Sequence, residues 1–131
     1  TSVTWGYDNR TVCFRVIRGS AKSARLECRV GGADLNPYLA LAASLASGLY
    51  GIERKMKLTS PPVSGNGYDH AAAPLPRDLG QATEALANSV IARELFGDAF
   101  VDHFVNTRRW EWRQYQSAIS DWELERYFEI I

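Results

Sequence analysis

A glutamate between two arginines stands out among the residues that could carry chemistry. Residues 25–29, RLECR, alternate charged and apolar side chains with a period of two, which is typical of a β-strand with two different faces. Such a strand presents Glu27 between Arg25 and Arg29 on one face. The apolar face would hold Leu26, Cys28 and Val30. A carboxylate binds a hard cation and guanidinium groups bind phosphate, so the pattern suits a metal and polyanion site, with a solvent-facing strand as the alternative.

Other short motifs occur in register with this one. Asn9-Arg10-Thr11 comes first, Arg15 stands five residues after Arg10, and Asn36-Pro37-Tyr38-Leu39 follows the charged strand. In order, spacing and residue type, these motifs and the charged strand resemble the C-terminal part of the catalytic domain of the glutamine synthetase family. The resemblance covers nearly all of the chain but only the last portion of a family member. Because the chain also opens on Thr1 without a methionine, we expect a piece of a longer protein.

The resemblance implies an ATP-dependent ligation in which glutamate is phosphorylated on its side-chain carboxylate and then coupled to ammonia or an amine. By position, Glu27 matches a ligand of the metal nearer ATP, Mg²⁺ or Mn²⁺. Arg29 matches the arginine that steadies the transferring phosphoryl group, and Arg10 is the second catalytic candidate. The groups that match residues around the nucleotide phosphates are Arg10, Arg15, Lys22 and Arg25.

Several features of the full-length protein follow from the resemblance as expectations. The remaining metal ligands and the residues that hold glutamate precede this segment in the family, and a neighbouring subunit of a ring-shaped homo-oligomer completes each site. The isolated chain is therefore expected to be inactive. The acceptor stays open between ammonia and a larger amine, since Gly31-Gly32-Ala33-Asp34 is more similar to the polyamine branch. A non-catalytic relative that serves as a binding or oligomerisation module is the alternative of another class.

The composition excludes some partners. The 131 residues carry 15 basic and 15 acidic side chains, and this neutrality favours neither nucleic acid nor an anionic membrane. Cys13 and Cys28 are expected to be small buried hydrophobes in a reduced, cytoplasmic protein. His70 and His103 have no partner at metal-ligand spacing, so we expect neither to be catalytic.

The elements that would position these residues form an α+β chain. Residues 1–33 hold an antiparallel β-hairpin, part of a larger sheet in the intact enzyme, with Arg10 in the turn just before it. Residues 34–57 form a buried long helix that Asn36 and Pro37 begin. Residues 58–77 are a Pro/Gly-rich loop, and residues 78–131 are a helical tail. Its helices are expected to begin near Asp78, Ser89, Asp98 and Ser120.

Tyr68 in the Pro/Gly-rich loop is a candidate for regulatory modification. Asn66-Gly67-Tyr68-Asp69 is similar to the family loop whose tyrosine some bacterial members adenylylate. The sequence around it departs from that pattern. Tyr68 as an ordinary loop residue is therefore the alternative.

Overall fold

In the part of the chain that the structure describes, three short strands precede five α-helices. The structure is a computed structural model and describes residues 2–130. The elements are β1 (Trp5–Tyr7), β2 (Phe14–Ile17), β3 (Arg25–Cys28), α1 (Pro37–Glu53), α2 (Leu79–Ala87), α3 (Val90–Phe96), α4 (Asp98–Ser117) and α5 (Asp121–Tyr127). They fall into two units, Thr1–Leu75 with the sheet and α1, and Pro76–Ile131 with the remaining helices. The α+β class is confirmed. No described helix has the length and apolar content that crossing a membrane requires.

The sheet has the order β1-β2-β3. Strands β2 and β3 pair antiparallel, which confirms the hairpin, and Arg15 lies directly opposite Glu27 in their register. Strand β1 pairs parallel with β2, an arrangement that the sequence did not predict. It is possible over so short a distance because β1 has three residues and is only about 10 Å long. The segment between Tyr7 and Phe14 can therefore return the chain to the start of β2 without a helix.

The two faces of the sheet differ in what covers them. The apolar face opens onto a cavity of about 950 Å³ that it shares with the C-terminal half of α1. The prediction that Cys28 is buried is wrong, since Cys28 is exposed, and its neighbours Leu26 and Val30 are 63% and 44% exposed. No layer among residues 2–130 closes over this face. The alternation along β3 therefore places the apolar residues on one face without burying them. Cys13 is buried as predicted.

Helix α1 begins where the sequence placed it. The Asn36 side chain accepts hydrogen bonds from the N–H groups of Tyr38 and Leu39, and Pro37 occupies the first turn. The helix ends at Glu53, four residues before the predicted end. There the Met56 N–H bonds to the Gly51 carbonyl in a Schellman motif with Lys55 at φ 51°.

The predicted burial of α1 is not found in this chain. No residue of the helix is buried, and Leu41 is 71% exposed. A helix that is apolar all round needs partners on several sides. The part of the chain that the structure describes supplies no element that packs extensively along its middle.

The helical unit has a small core of its own. Ala92, Val101 and Val105 are buried, and Leu86 and Phe96 pack against them. The predicted helix starts are confirmed by side-chain caps at Asp78, Ser89 and Ser120, the last in a full capping box. Helix α5 ends at Tyr127. These caps satisfy N–H groups that have no partner within a helix.

Candidate functional site

Five charged side chains meet on the other face of the sheet and form what we call the Arg/Glu cluster. Its members are Asp8, Arg15, Arg25, Glu27 and Arg29. The β2–β3 register places Arg15 across from Glu27, so the two side chains leave the sheet on the same side. Arg25 and Arg29 share that face because each stands two residues from Glu27 on β3 and its extension. Local strand geometry therefore assembles the cluster.

Glu27 is the centre of the cluster. Arg15 Nη1 donates to Glu27 Oε2 at 3.1 Å, and Arg25 Nε donates to Glu27 Oε1 at 3.2 Å. Arg29 Nη1 lies 3.8 Å from Oε2, which is an ion pair rather than a hydrogen bond. The Glu27 side chain is 28% exposed and that of Arg15 only 13% exposed. One half-buried carboxylate thus holds three guanidinium groups together.

Asp8 belongs to the site and was missed from the sequence. Its Oδ1 accepts a short hydrogen bond from Arg15 Nη2, so Arg15 bridges Asp8 and Glu27. Asp8 adopts φ 47°, a left-handed conformation that Asp tolerates better than most residues. Gly6-Tyr7-Asp8-Asn9 carries residues that favour turns, so the backbone alone is enough to explain an aspartate at this position. The signal in the sequence was its position just before Asn9-Arg10-Thr11. The pairing of β1 with β2 that brings Asp8 close to Arg15 is seen only in the structure.

The electrostatics of the cluster favour an ionised carboxylate. Desolvation raises the pKa of Glu27, but hydrogen bonding and charge from Arg15, and then the charge of Arg25, outweigh it and hold the pKa below its ordinary value. The hydrogen bond to Asp8 is the main reason why the pKa of Arg15 is raised. Within the described residues, Arg15 Nε is buried without a hydrogen-bond partner. Three guanidinium groups against two carboxylates leave the cluster with positive charge in excess.

Arg10 lies beside the cluster, in the turn outside the strand where it was expected. Its carbonyl oxygen accepts a hydrogen bond from Arg29 Nε at 3.2 Å. Its side chain is exposed and lines a cleft of about 540 Å³. The other cleft residues come from the end of β1, from the same turn and from the loop over Pro62–Gly65. Arg10 is therefore placed to reach a ligand that also touches the cluster.

Lys22 and the two histidines stand apart from the cluster. Lys22 is exposed in the turn between β2 and β3 and forms no ion pair with any residue from 2 to 130. His70 and His103 are also exposed. Tyr68 is 63% exposed in a 3₁₀ turn over Gly67–Asp69. The structure thus brings together five of the six predicted site residues and leaves Lys22 at a distance in the neighbouring turn.

The cluster fits part of a metal and nucleotide site. Glu27 supplies carboxylate oxygens, the donors that Mg²⁺ and Mn²⁺ prefer. Among residues 2–130, however, no group of three or more His, Cys, Asp or Glu side chains could hold a metal ion. Glu27 can therefore be only one ligand among several. The excess guanidinium charge fits phosphate oxygens, which accept forked hydrogen bonds from arginine.

The chain is similar in sequence to proteins with glutamine synthetase and glutamate–amine ligase names. Residues 1–127 match the family described as glutamine synthetase, catalytic domain. The chain is 53% identical to type-1 glutamine synthetase 2 of Dictyostelium discoideum, with 100% of this chain and 26% of that protein covered. It is 46% identical to glutamate–isopropylamine ligase of Pseudomonas sp, with 98% and 28% covered. It is 45% identical to γ-glutamylethanolamide synthetase of Streptomyces coelicolor, again with 98% and 28% covered.

A solved structure shares the fold. The chain described as GmaS, apo and without ligand, superposes with a TM-score of 0.82 at 32% identity over 98% of this chain and 30% of that chain. The sequence thus spans between a quarter and a third of the length of these relatives.

Proposed function

Since the chain belongs to the glutamine synthetase catalytic-domain family, we propose that the protein containing it is an ATP-dependent carbon–nitrogen ligase. The γ-phosphoryl group of ATP moves to the side-chain carboxylate of glutamate, and ADP leaves. Ammonia or an amine then attacks the acyl carbon, phosphate departs, and the nitrogen loses a proton to give the γ-glutamyl amide. The observation that carries the proposal is the single half-buried carboxylate of Glu27 held among three guanidinium groups.

The arginines of the site suit a phosphoryl group in transfer. Negative charge is redistributed over its oxygens, and fixed positive groups stabilise that charge without reorganising at the moment of reaction. Arg29 and Arg10 are joined by a hydrogen bond, so they can act on the same group, and we assign them the catalytic roles. Arg15 and Arg25 hold the nucleotide phosphates, and Lys22 joins them if its exposed turn closes over the nucleotide.

Glu27 provides one oxygen ligand for a divalent cation. Family enzymes use ATP with such a metal, and we propose Mg²⁺ or Mn²⁺ here. A cation bound at this carboxylate would neutralise charge on the phosphate oxygens. The low pKa of Glu27 keeps the carboxylate ionised and ready to bind at neutral pH. Arg15 contacts Oε2 and Arg25 contacts Oε1, so a cation bound there would share the carboxylate with these two guanidinium groups.

The site needs partners beyond this chain. One carboxylate ligand does not make a metal centre, so the remaining ligands and the glutamate pocket must come from the rest of the full-length protein. We propose that it assembles as a cytoplasmic homo-oligomer and that residues 1–131 alone are inactive. The exposed helix α1 and the uncovered apolar face of the sheet support this, because such surfaces are normally covered in an assembled protein.

The acceptor is either ammonia or an organic amine. The name of the relative at 53% identity favours ammonia. The names of those at 46% and 45% favour isopropylamine and ethanolamine, whereas glutamine synthetase of Thermus thermophilus is 36% identical. We therefore retain an organic-amine ligase, with polyamines included, as the second candidate.

Phosphate release by the full-length protein tests both candidates. The protein is incubated with glutamate, ATP and Mg²⁺ and with ammonia, ethanolamine, isopropylamine or a polyamine in parallel, and the amide is identified by mass spectrometry. Turnover with ammonia supports a glutamine synthetase. Turnover only with a larger amine supports the second candidate, and absence of turnover with every amine would indicate a non-catalytic relative. The same assay on residues 1–131 should give no product.

A further inference from the structure

Two stretches far apart in sequence meet beside Arg10. They are the turn that contains it and the loop from Val63 to Gly67. We propose that Asn9 and Thr11 are positioning residues that hold Arg10 in place by fastening its turn to this loop. The inference rests on the proposed function and deepens it, because Arg10 is one of the two catalytic arginines assigned above. We call the hydrogen bonds that Asn9 and Thr11 form with each other and with the loop the turn clamp.

Both polar atoms of the Asn9 side-chain amide, Oδ1 and Nδ2, form hydrogen bonds of the turn clamp. Its Oδ1 accepts from the Thr11 N–H at 2.9 Å and from the Thr11 hydroxyl at 2.6 Å. Its Nδ2 donates to the Gly65 carbonyl at 2.8 Å. Asn9 therefore closes the turn around Arg10 and ties that turn to the loop.

The Thr11 hydroxyl continues the connection. It donates to Asn9 and accepts from the Gly67 N–H at 2.6 Å, so a single oxygen joins both stretches. Gly67 is buried and lies so close that an added Cβ would stand 2.6 Å from the Thr11 carbonyl oxygen. This approach admits only glycine at position 67. Thr11 is half-buried, which protects these bonds from exchange with water.

The loop is itself anchored, so it can serve as a support. The Val63 N–H donates to the Trp5 carbonyl at 2.8 Å, and the Trp5 indole donates to the Ser60 carbonyl at 3.0 Å. The Val63 side chain is 7% exposed and that of Val12 is 4% exposed. The support thus combines hydrogen bonds to β1 with buried apolar side chains.

Arg10 is fixed through its backbone while its side chain stays in the cleft. Both of its neighbours belong to the turn clamp, and its own carbonyl accepts from Arg29 Nε. Holding the backbone restricts where a long, flexible guanidinium can reach. An error of about 1 Å in such a group can cost about a hundredfold in rate. The turn clamp therefore acts on catalysis through Arg10 without touching substrate.

The test is a double-mutant cycle in the full-length protein. Thr11→Val removes the hydroxyl and keeps the shape, whereas Thr11→Ser keeps the hydroxyl. We expect Thr11→Val to lower kcat about tenfold or more, as a modest displacement of a catalytic group does, with Thr11→Ser near wild type. In an Arg10→Gln background, Thr11→Val should lower kcat no further. An equal loss in both backgrounds, or no loss in either, would overturn the proposal.

Amide hydrogen exchange tests the turn clamp independently of activity. The Gly67 N–H should exchange faster in Thr11→Val than in wild type or Thr11→Ser. The exposed loop residue His70 provides a control, since His70→Ala should leave exchange at Gly67 and kcat unchanged. Unchanged exchange in Thr11→Val would contradict the turn clamp. A wild-type protein that forms no amide would instead overturn the proposed function, and the role of Arg10 with it.

Discussion

The arginines of the two units have different numbers of carboxylate partners. In the helical unit, Arg93 donates to Asp98 at 2.8 Å and to Asp102 at 2.9 Å. In the sheet unit, three arginines contact Glu27, and one of them, Arg15, also contacts Asp8. The two groups of ion pairs differ in the ratio of guanidinium groups to carboxylates. Arg93 meets two carboxylates and also donates to the Ala87 carbonyl. The two carboxylates exceed the single charge of Arg93, and these contacts join helices α2, α3 and α4.

The Arg/Glu cluster is not matched in this way. It has more guanidinium groups than carboxylates, and the Arg15 Nε is buried without a partner among the described residues. Repulsion between neighbouring guanidinium groups lowers the stability of the folded state unless a bound anion compensates their positive charge. An excess of guanidinium groups over carboxylates, rather than the number of ion pairs, therefore distinguishes the cluster that we propose binds an anionic ligand from the ion pairs of the helical unit.

Replacing a cluster arginine should give the largest effect on turnover. We expect Arg29→Gln in the full-length protein to lower kcat about 100- to 1,000-fold, because a fixed positive group at the transferring phosphoryl is lost. Steady-state kinetics with saturating ATP measure the change. Arg109→Gln is the matched control, since it breaks only the ion pair between α4 and Glu84 and should leave kcat of the folded protein unchanged. A similar loss of turnover in both variants would remove the distinction between the two regions.

A core substitution in the helical unit should act on stability alone. Val101 is fully buried, so Val101→Ala leaves a cavity and should lower the free energy of unfolding by about 1–3 kcal/mol. Chemical denaturation monitored by tryptophan fluorescence measures this, with the exposed Val90→Ala as control. Activity per folded molecule should not change. Loss of turnover without loss of stability would show that the helical unit shapes the site.

The pH dependence of Glu27 provides a smaller and more local effect. Its pKa is lowered from 4.5 on folding, so the carboxylate stabilises the folded state above the unfolded value, and this stabilisation is lost as the pH falls through the folded value. Arg15→Gln should raise the pKa of Glu27 more than Arg25→Gln does, because Arg15 is the stronger cause of the shift. Carboxyl NMR titration checks the order. Equal shifts would mean that the two arginines are equivalent.

Local signals predicted the parts of the fold that depend on local interactions. Period-two alternation predicted strand β3 and the shared face of Arg25, Glu27 and Arg29, and Asn36 predicted the start of α1. The parallel pairing of β1 was not predictable, since it depends on the path of residues 8–13. The predicted burial of α1 is not found among residues 2–130, because burial requires packing partners and an apolar sequence does not by itself supply them.

The site was predictable to a similar extent. Resemblance and spacing selected Glu27 and its arginines, and strand geometry explains why Arg15 meets Glu27. Asp8 was missed because an aspartate in a left-handed turn has a sufficient backbone explanation. Its pairing with Arg15 exists only because β1 and β2 run parallel, which sequence reasoning did not foresee.

The most direct test compares the same chemical change in the two regions. Glu27→Gln and Glu84→Gln each remove one carboxylate that arginine holds, from the Arg/Glu cluster and from the α2–α4 ion pair respectively. Turnover and melting temperature of both full-length variants are measured with the best amine. We expect Glu27→Gln to lose at least about a hundredfold in kcat while remaining folded, and Glu84→Gln to lower only the melting temperature. Retained turnover in Glu27→Gln would show that the Glu27 carboxylate is not needed for catalysis.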